Sequence, residues 1–183
     1  MSHLLTKEGG PVTVTSRFVA VTLTWETSTG GQGGMSGAFK KFKGVNLDNV
    51  GILVQGTRPV NYAGLDNLTP EDGVSHSGDD KKGKRPETLT VEPAKVPGHI
   101  TEVLLSVAAF QPGQSFRNAK NVRVTIKADE DYVIQPSLVG HANFIGAAKL
   151  VRAGAGWQLV VVDEHRQIAQ GDRDSLVLAA QGM

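Results

Sequence analysis

The run from Asn121 to Ala128 (NVRVTIKA) decides the fold class. Val122, Val124 and Ile126 fall on one side of it, and Arg123, Thr125 and Lys127 on the other. Successive side chains of a β-strand point to opposite faces, so a period of two with one apolar side is the pattern of a half-buried strand. The same alternation recurs upstream in the strand region Pro11 to Trp25, where Val19, Val21, Leu23 and Trp25 form the apolar row, and in Glu87 to Val91. Gly51 to Gln55, Ile100 to Phe110 (ITEVLLSVAAF), Ala142 to Arg152 and Gly156 to Val162 read as further strands. Ile100 to Phe110 could also be helical. Its β-branched residues and the flanking Pro97-Gly98 and Pro112-Gly113 favour a strand.

The connections fit that reading. Asp129 to Asp131 makes a tight acidic loop into Tyr132 to Leu138, and Ala153 to Ala155 is a glycine turn. Ser115 to Asn121 is short enough for a helical turn, and Ser175 to Ala180 reads as a last strand or a tail. Many short strands at regular spacing, without long intervening helices, predict an all-β chain folded as a two-sheet antiparallel β-sandwich with long polar loops. The expected organisation is a single domain over residues 1–183, with its core in about 11–163 and a polar C-terminal segment 164–183.

Bulk properties narrow the function. The formal net charge is +1, so the whole chain has no general bias toward nucleic acid or membrane. The absence of cysteine excludes disulfide frameworks, thiolate metal sites and thiol catalysis. No run approaches the ~18 apolar residues of a spanning helix, and MSHLLTKEGGPVTV lacks the apolar stretch of a signal peptide. The expectation is a soluble, cytoplasmic protein.

Five histidines (His3, His76, His99, His141, His165) lie far apart and form no His-Glu-x-x-His pair for zinc. No serine sits in a Gly-x-Ser-x-Gly elbow. Ser75, His76 and Asp79 could be drawn as a triad, but they sit in one short stretch that specifies no oxyanion hole. The expectation is that the chain is not an enzyme. Glu26 to Gly37 is a glycine- and serine-rich connector without the Gly-Lys-Ser/Thr ending of a phosphate loop. Ala38 to Gly44 (AFKKFKG) mixes lysines with phenylalanines. Such a patch can neutralise and stack on single-stranded nucleic acid, but lysine is also the usual guard of an edge strand.

The densest cluster of oxygen donors is Tyr62 to Glu87, where Asp66, Asn67, Glu71, Asp72, Asp79, Asp80 and Glu87 are interleaved with glycines. Ordering so long a polar insertion costs conformational entropy unless a ligand holds it. Ca²⁺ takes six to eight oxygen ligands in flexible geometry, and a glycine-interrupted acidic loop supplies them. The alternative is a solvated loop whose carboxylates pair with Lys81, Lys82, Lys84 and Arg85. Asp163, Glu164 and His165 are a second, weaker metal candidate.

Asn67 to Val74 (NLTPEDGV), followed by His76 to Asp80 (HSGDD) and Gly83, resembles the signature of the TerD-like tellurium-resistance and stress-response proteins. Asn46-Leu47-Asp48 resembles the second half of that family's Asp-x-Asp-Leu-Asp motif, and the likeness extends over about Pro11 to Asp163. The resemblance implies a two-sheet β-sandwich with Ca²⁺ bound between loops and no enzymatic activity. It also implies partnership with other Ter-type stress-response proteins, with peripheral membrane association through those partners and no nucleic acid. Carried across position by position, the metal ligands would be Asn46, Asp48, Asn67, Asp79, Asp80 and Glu87, with Gly78 as a carbonyl donor.

This sequence departs from the family pattern. The first aspartate of the early motif falls near Gly44, the second is Asn46, and the acidic cluster that follows the loop is reduced to Glu87, preceded by Arg85 and Pro86. Affinity for Ca²⁺ follows ligand charge. Either one weak Ca²⁺ site survives, or a lysine or arginine stands in as an internal cation. The function expected is a non-enzymatic Ca²⁺-binding or site-degenerate module in a tellurite-resistance or stress-response system, presenting its loops to a protein partner. The alternatives are a metal-free scaffold domain that binds an anionic partner (nucleic acid or lipid headgroups) through its lysine-rich loops, and a metal-assisted hydrolase using His76 and Asp79.

Overall fold

Val122, Val124 and Ile126 are all buried, and the strand that carries them lies in the middle of a sheet. The structure is a computed structural model that describes residues 2–27, 45–64, 66–78, 86–138 and 141–183. Its strands are β1 (Ser2–Leu4), β2 (Val12–Val14), β3 (Val19–Thr27), β4 (Asp48–Gln55), β5 (Arg58–Ala63), β6 (Val74–His76), β7 (Thr88–Val91), β8 (Glu102–Ala108), β9 (Ala119–Lys127), β10 (Asp131–Ile134), β11 (Phe144–Ala153) and β12 (Gly156–Arg166). One short helix, α1 (Arg173–Leu178), follows.

Sheet 1 has the order β1-β10-β9-β3-β7-β6, and sheet 2 the order β2-β12-β11-β8-β4-β5. Every neighbouring pair is antiparallel except β1 with β10, which makes one edge of sheet 1 parallel. The expected strand region Pro11 to Trp25 is divided between the sheets: β2 joins sheet 2 and β3 joins sheet 1. Between them, Thr15 donates from its backbone N–H and its hydroxyl to the Asp129 carboxylate, at 2.7 Å each. That anchor on the β9–β10 loop lets the chain change sheets. The inner faces then meet in a core that includes Val19, Val21, Leu23, Leu53, Leu89, Leu105, Ile126, Ile145 and Leu150.

Two elements follow rules other than simple alternation. β5 contains Pro59, which cannot donate to a ladder, so β5 occupies an edge of sheet 2 beside a register shift in β4. β4 is buried from Asp48 to Val54 on both faces. Val50, Ile52 and Val54 point away from the sandwich interior into a second cluster with Tyr62, Leu104 and Phe144.

That second cluster also draws on residues after Asp163. β12 runs to Arg166, and Ile168, Leu176, Ala179 and Ala180 are buried on the outer face of sheet 2. Ser175 to Ala180 is neither a strand nor a tail but lies largely in α1, which begins at Asp172, whose carboxylate accepts the Asp174 N–H at 3.0 Å. The turn into it is pinned by buried Asn143. Its amide donates to Ile168 O (2.9 Å) and accepts the Ile168 N–H (2.7 Å). Arg173 pairs with Asp66, which also accepts the Tyr62 hydroxyl at 2.8 Å. The segment is polar in composition because only one stripe of it faces apolar strands.

Candidate functional site

Three stretches meet where β4 begins, β6 ends and β7 begins. Asp48 opens β4, is 2% exposed and accepts a hydrogen bond from the Asn46 amide at 3.1 Å. Asn49, also buried, ties the sheets together: its side chain donates to Val21 O of β3 at 2.9 Å, and its backbone N–H points at Glu87 Oε2, 3.4 Å away. Glu87, just before β7, is also approached by His76, whose Nε2 lies 3.8 Å from the same oxygen. Asn46 and Asp48 are joined at the start of β4, and Glu87 reaches the backbone of the next residue, Asn49, 38 positions away, while Asp48 and Asn49, consecutive in the strand, turn their side chains to opposite faces.

The tautomer of His76 follows from its partners. Nδ1 accepts the Gly78 N–H at 3.0 Å, so the neutral ring carries its proton on Nε2. That nitrogen is buried without a hydrogen-bond partner among the described residues and faces the Glu87 carboxylate. Burial lowers the His76 pKa from its ordinary 6.5, opposed by a weaker contact with the Asn49 backbone, so the ring is neutral at pH 7. At 3.8 Å the protonated Nε2 is beyond hydrogen-bond reach of the Glu87 carboxylate that it faces.

The other expected ligands are placed differently. Asn67 uses its amide hydrogens on Asn61 Oδ1 (2.9 Å) and Tyr62 O (2.8 Å), and its backbone pairs with Gly64 across the turn. This turn-closing role accounts for an asparagine there. Leu68 O accepts the His76 N–H at 2.8 Å, so the turn is linked to the site through β6. Gly78 serves through its N–H on His76. Asp79, Asp80, Gly83 and the basic residues Lys81, Lys82, Lys84 and Arg85 lie outside the described residues, as do Lys40, Lys41 and Lys43.

Gly73 closes the neighbouring turn. At φ +76° its Cβ position would stand 2.7 Å from Val96 N and 2.8 Å from Glu92 O, so only glycine fits without moving backbone.

Other expectations are redirected. Ser75 and His76 are consecutive in β6 and so face opposite sides, which leaves no Ser–His pair there. Asp163 accepts the Ser137 N–H and hydroxyl at 3.2 and 2.8 Å, and His165 Nε2 lies 2.6 Å from Ser137 O. Those side chains fasten the end of sheet 1 to β12. Among the described residues no three His, Asp or Glu are grouped to hold a metal. Asn49 went unremarked in the sequence because a polar residue beside Asp48 reads as part of a turn, and only pairing between sheets shows its use.

No protein-family model matches the sequence, and no curated protein matches it. Among solved structures, the chain is similar to a homologue of telluride resistance protein (TerD), SCO6318 from Streptomyces coelicolor A3(2), with a TM-score of 0.67 and 19% identity over 92% of this chain and 97% of that one. The fold is TerD-like. It is also similar to a protein of unknown function, SAV2460, with a TM-score of 0.55 and 16% identity over 82% of this chain and 92% of that one. Across so low an identity the likeness is one of architecture, and the roles of individual residues rest on the geometry above. In the TerD-like sandwich, Asp48 and Glu87 occupy one end, where the loops after β6 and before β4 emerge. Among the described residues no helix is long and apolar enough to cross a membrane.

Proposed function

We propose that this chain is a non-enzymatic TerD-like binding module of a tellurite-resistance or stress-response system. It presents the loops at the Asp48–Glu87 end of the sandwich to a protein partner and holds one weak Ca²⁺ site there. The observation that carries this reading is the buried Asp48 carboxylate of sheet 2, held by Asn46 at the same end of the sandwich at which Glu87 of sheet 1 meets the Asn49 N–H. A carboxylate withdrawn from water, as that of Asp48 is, favours a cation.

The described donors fit only part of a Ca²⁺ shell. The Asp48 carboxylate and the Asn46 amide oxygen fall short of six ligands, and Glu87, Asp79 and Asp80 are the sequence candidates for the remainder. Low ligand charge makes the site weak.

Calorimetry and thermal unfolding with added CaCl₂ test this. A single weak site should appear and disappear in Asp48→Asn, and Ca²⁺ at ten times its Kd should stabilise the protein by about 1.4 kcal/mol. No heat and no thermal shift at millimolar Ca²⁺ would replace the bound ion with a basic side chain.

A further inference from the structure

A cleft of ≈ 540 Å³ opens on the outer side of sheet 1, lined by Thr24, Trp25, Glu26, Asn121, Arg123 and Gln135. Its volume lies within the range of small-molecule sites. A fault in strand pairing forms it. Thr24 pairs with Arg123 and Glu26 with Lys120, so one residue of β3, Trp25, faces two of β9, Asn121 and Val122. The extra residue is taken up at Asn121, which has φ +51°, a left-handed conformation that asparagine tolerates better than most residues. Such bulges bend a strand and re-aim side chains, and they are common beside binding sites.

The lining is fixed on one side and unspent on the other. Asn121 donates to Glu26 Oε2 at 2.9 Å, which orients both groups. Trp25 Nε1 donates to Val45 O at 2.9 Å, which holds the ring, and Trp25, half-buried against the core between the sheets, lines the cleft. Thr24, Arg123 and Gln135 use none of their side-chain donors or acceptors on other described residues. The single guanidinium and single carboxylate cancel, so the cleft has no net charge to attract a polyanion.

We propose that this cleft binds a neutral saccharide of one or two units. Each sugar hydroxyl both donates and accepts, and adjacent hydroxyls match the paired atoms of an amide, a carboxylate or a guanidinium. The C–H face of a pyranose supplies the apolar surface that the indole needs. Phosphate leaves Glu26 facing an anion, and a free amino acid leaves most of the cleft empty. None of Asn46, Asp48 and Glu87 lines the cleft.

The test is an NMR titration of the full chain with glucose, N-acetylglucosamine, maltose, cellobiose and lactose, with inorganic phosphate and glycine run alongside. At least one saccharide should produce saturable shifts at the Asn121 and Gln135 side-chain amides, the Arg123 Nε–H and the Trp25 indole. Arg123→Ala and Gln135→Ala, both on the solvent side, should each weaken that binding about tenfold or more while the rest of the spectrum stays in place. The proposal is overturned by no saturable shift with any of the five sugars, by shifts with phosphate or glycine alone, or by saccharide shifts that survive both substitutions.

Discussion

Gly51 of β4 and Leu89 of β7 face each other across the sandwich so closely that a Cβ on Gly51 would stand 2.8 Å from Leu89 Cδ2 and 2.9 Å from Cδ1. Leu89 is fully buried, so any adjustment of its side chain must be made within the packed core. This contact sets how near the sheets come beside the site, because Asn49 and Glu87 sit two positions away on the same two strands or just before them.

Gly51→Ala should therefore destabilise the protein by about 1–3 kcal/mol through overpacking, less the few tenths gained from a stiffer unfolded chain. The check is chemical denaturation of Gly51→Ala, Leu89→Val and the double variant. The double variant should be more stable than the sum of the single losses implies, since the valine vacates the space that the new methyl enters. Strict additivity would mean that the sheets part instead of the leucine yielding.

The C-terminal segment supports a second prediction. Leu176 is fully buried over sheet 2, whereas its near neighbour Leu178 is 58% exposed. Leu176→Ala should cost about 2–5 kcal/mol, and Leu178→Ala should stay within about 0.5 kcal/mol. Equal and small effects in urea denaturation would show that α1 is detached in solution. Removal of the chain after Arg166 should uncover Val50, Ile52, Tyr62, Leu104 and Phe144 together and lower solubility.

The sandwich was legible where strands bury one face only. β9 and β3 alternate because their outer faces meet water, as the half-exposed Thr22 and Thr125 show. β4 did not alternate because the C-terminal segment covers its second face, and nothing local to GILV announces a cover about 120 residues away. β5 was hidden by Pro59, which reads as a strand breaker until its place at a sheet edge is known. At the candidate site, Asn46 and Asp48 were found from the family resemblance, and Glu87 from the density of oxygen donors as well as from that resemblance. The pattern also nominated Asn67, whose amide in fact closes a turn. A ligand and a turn-closing residue can share one residue type, and only hydrogen-bond partners separate them. The roles of Asn49 and Asn121 depend on which strands pair, which no single stretch of sequence contains.

His76 supports the last prediction, on pH. Its folded pKa lies below 6.5 because the buried ring resists charging. Between that lowered value and 6.5 the unfolded chain binds more protons than the folded one, so stability must fall as pH falls. Above 6.5 the ring is neutral in both states and the full stability is present. Denaturant midpoints measured from pH 7.5 down to about 5 should decline for the parent protein, and the decline should be shallower in His76→Gln. The other histidines are common to both proteins, so the difference between the two curves, not either slope alone, isolates His76. Glu87, 3.8 Å from Nε2, works against the effect by attracting a charged ring. Parallel curves would therefore mean that this carboxylate, and not burial, governs the imidazole.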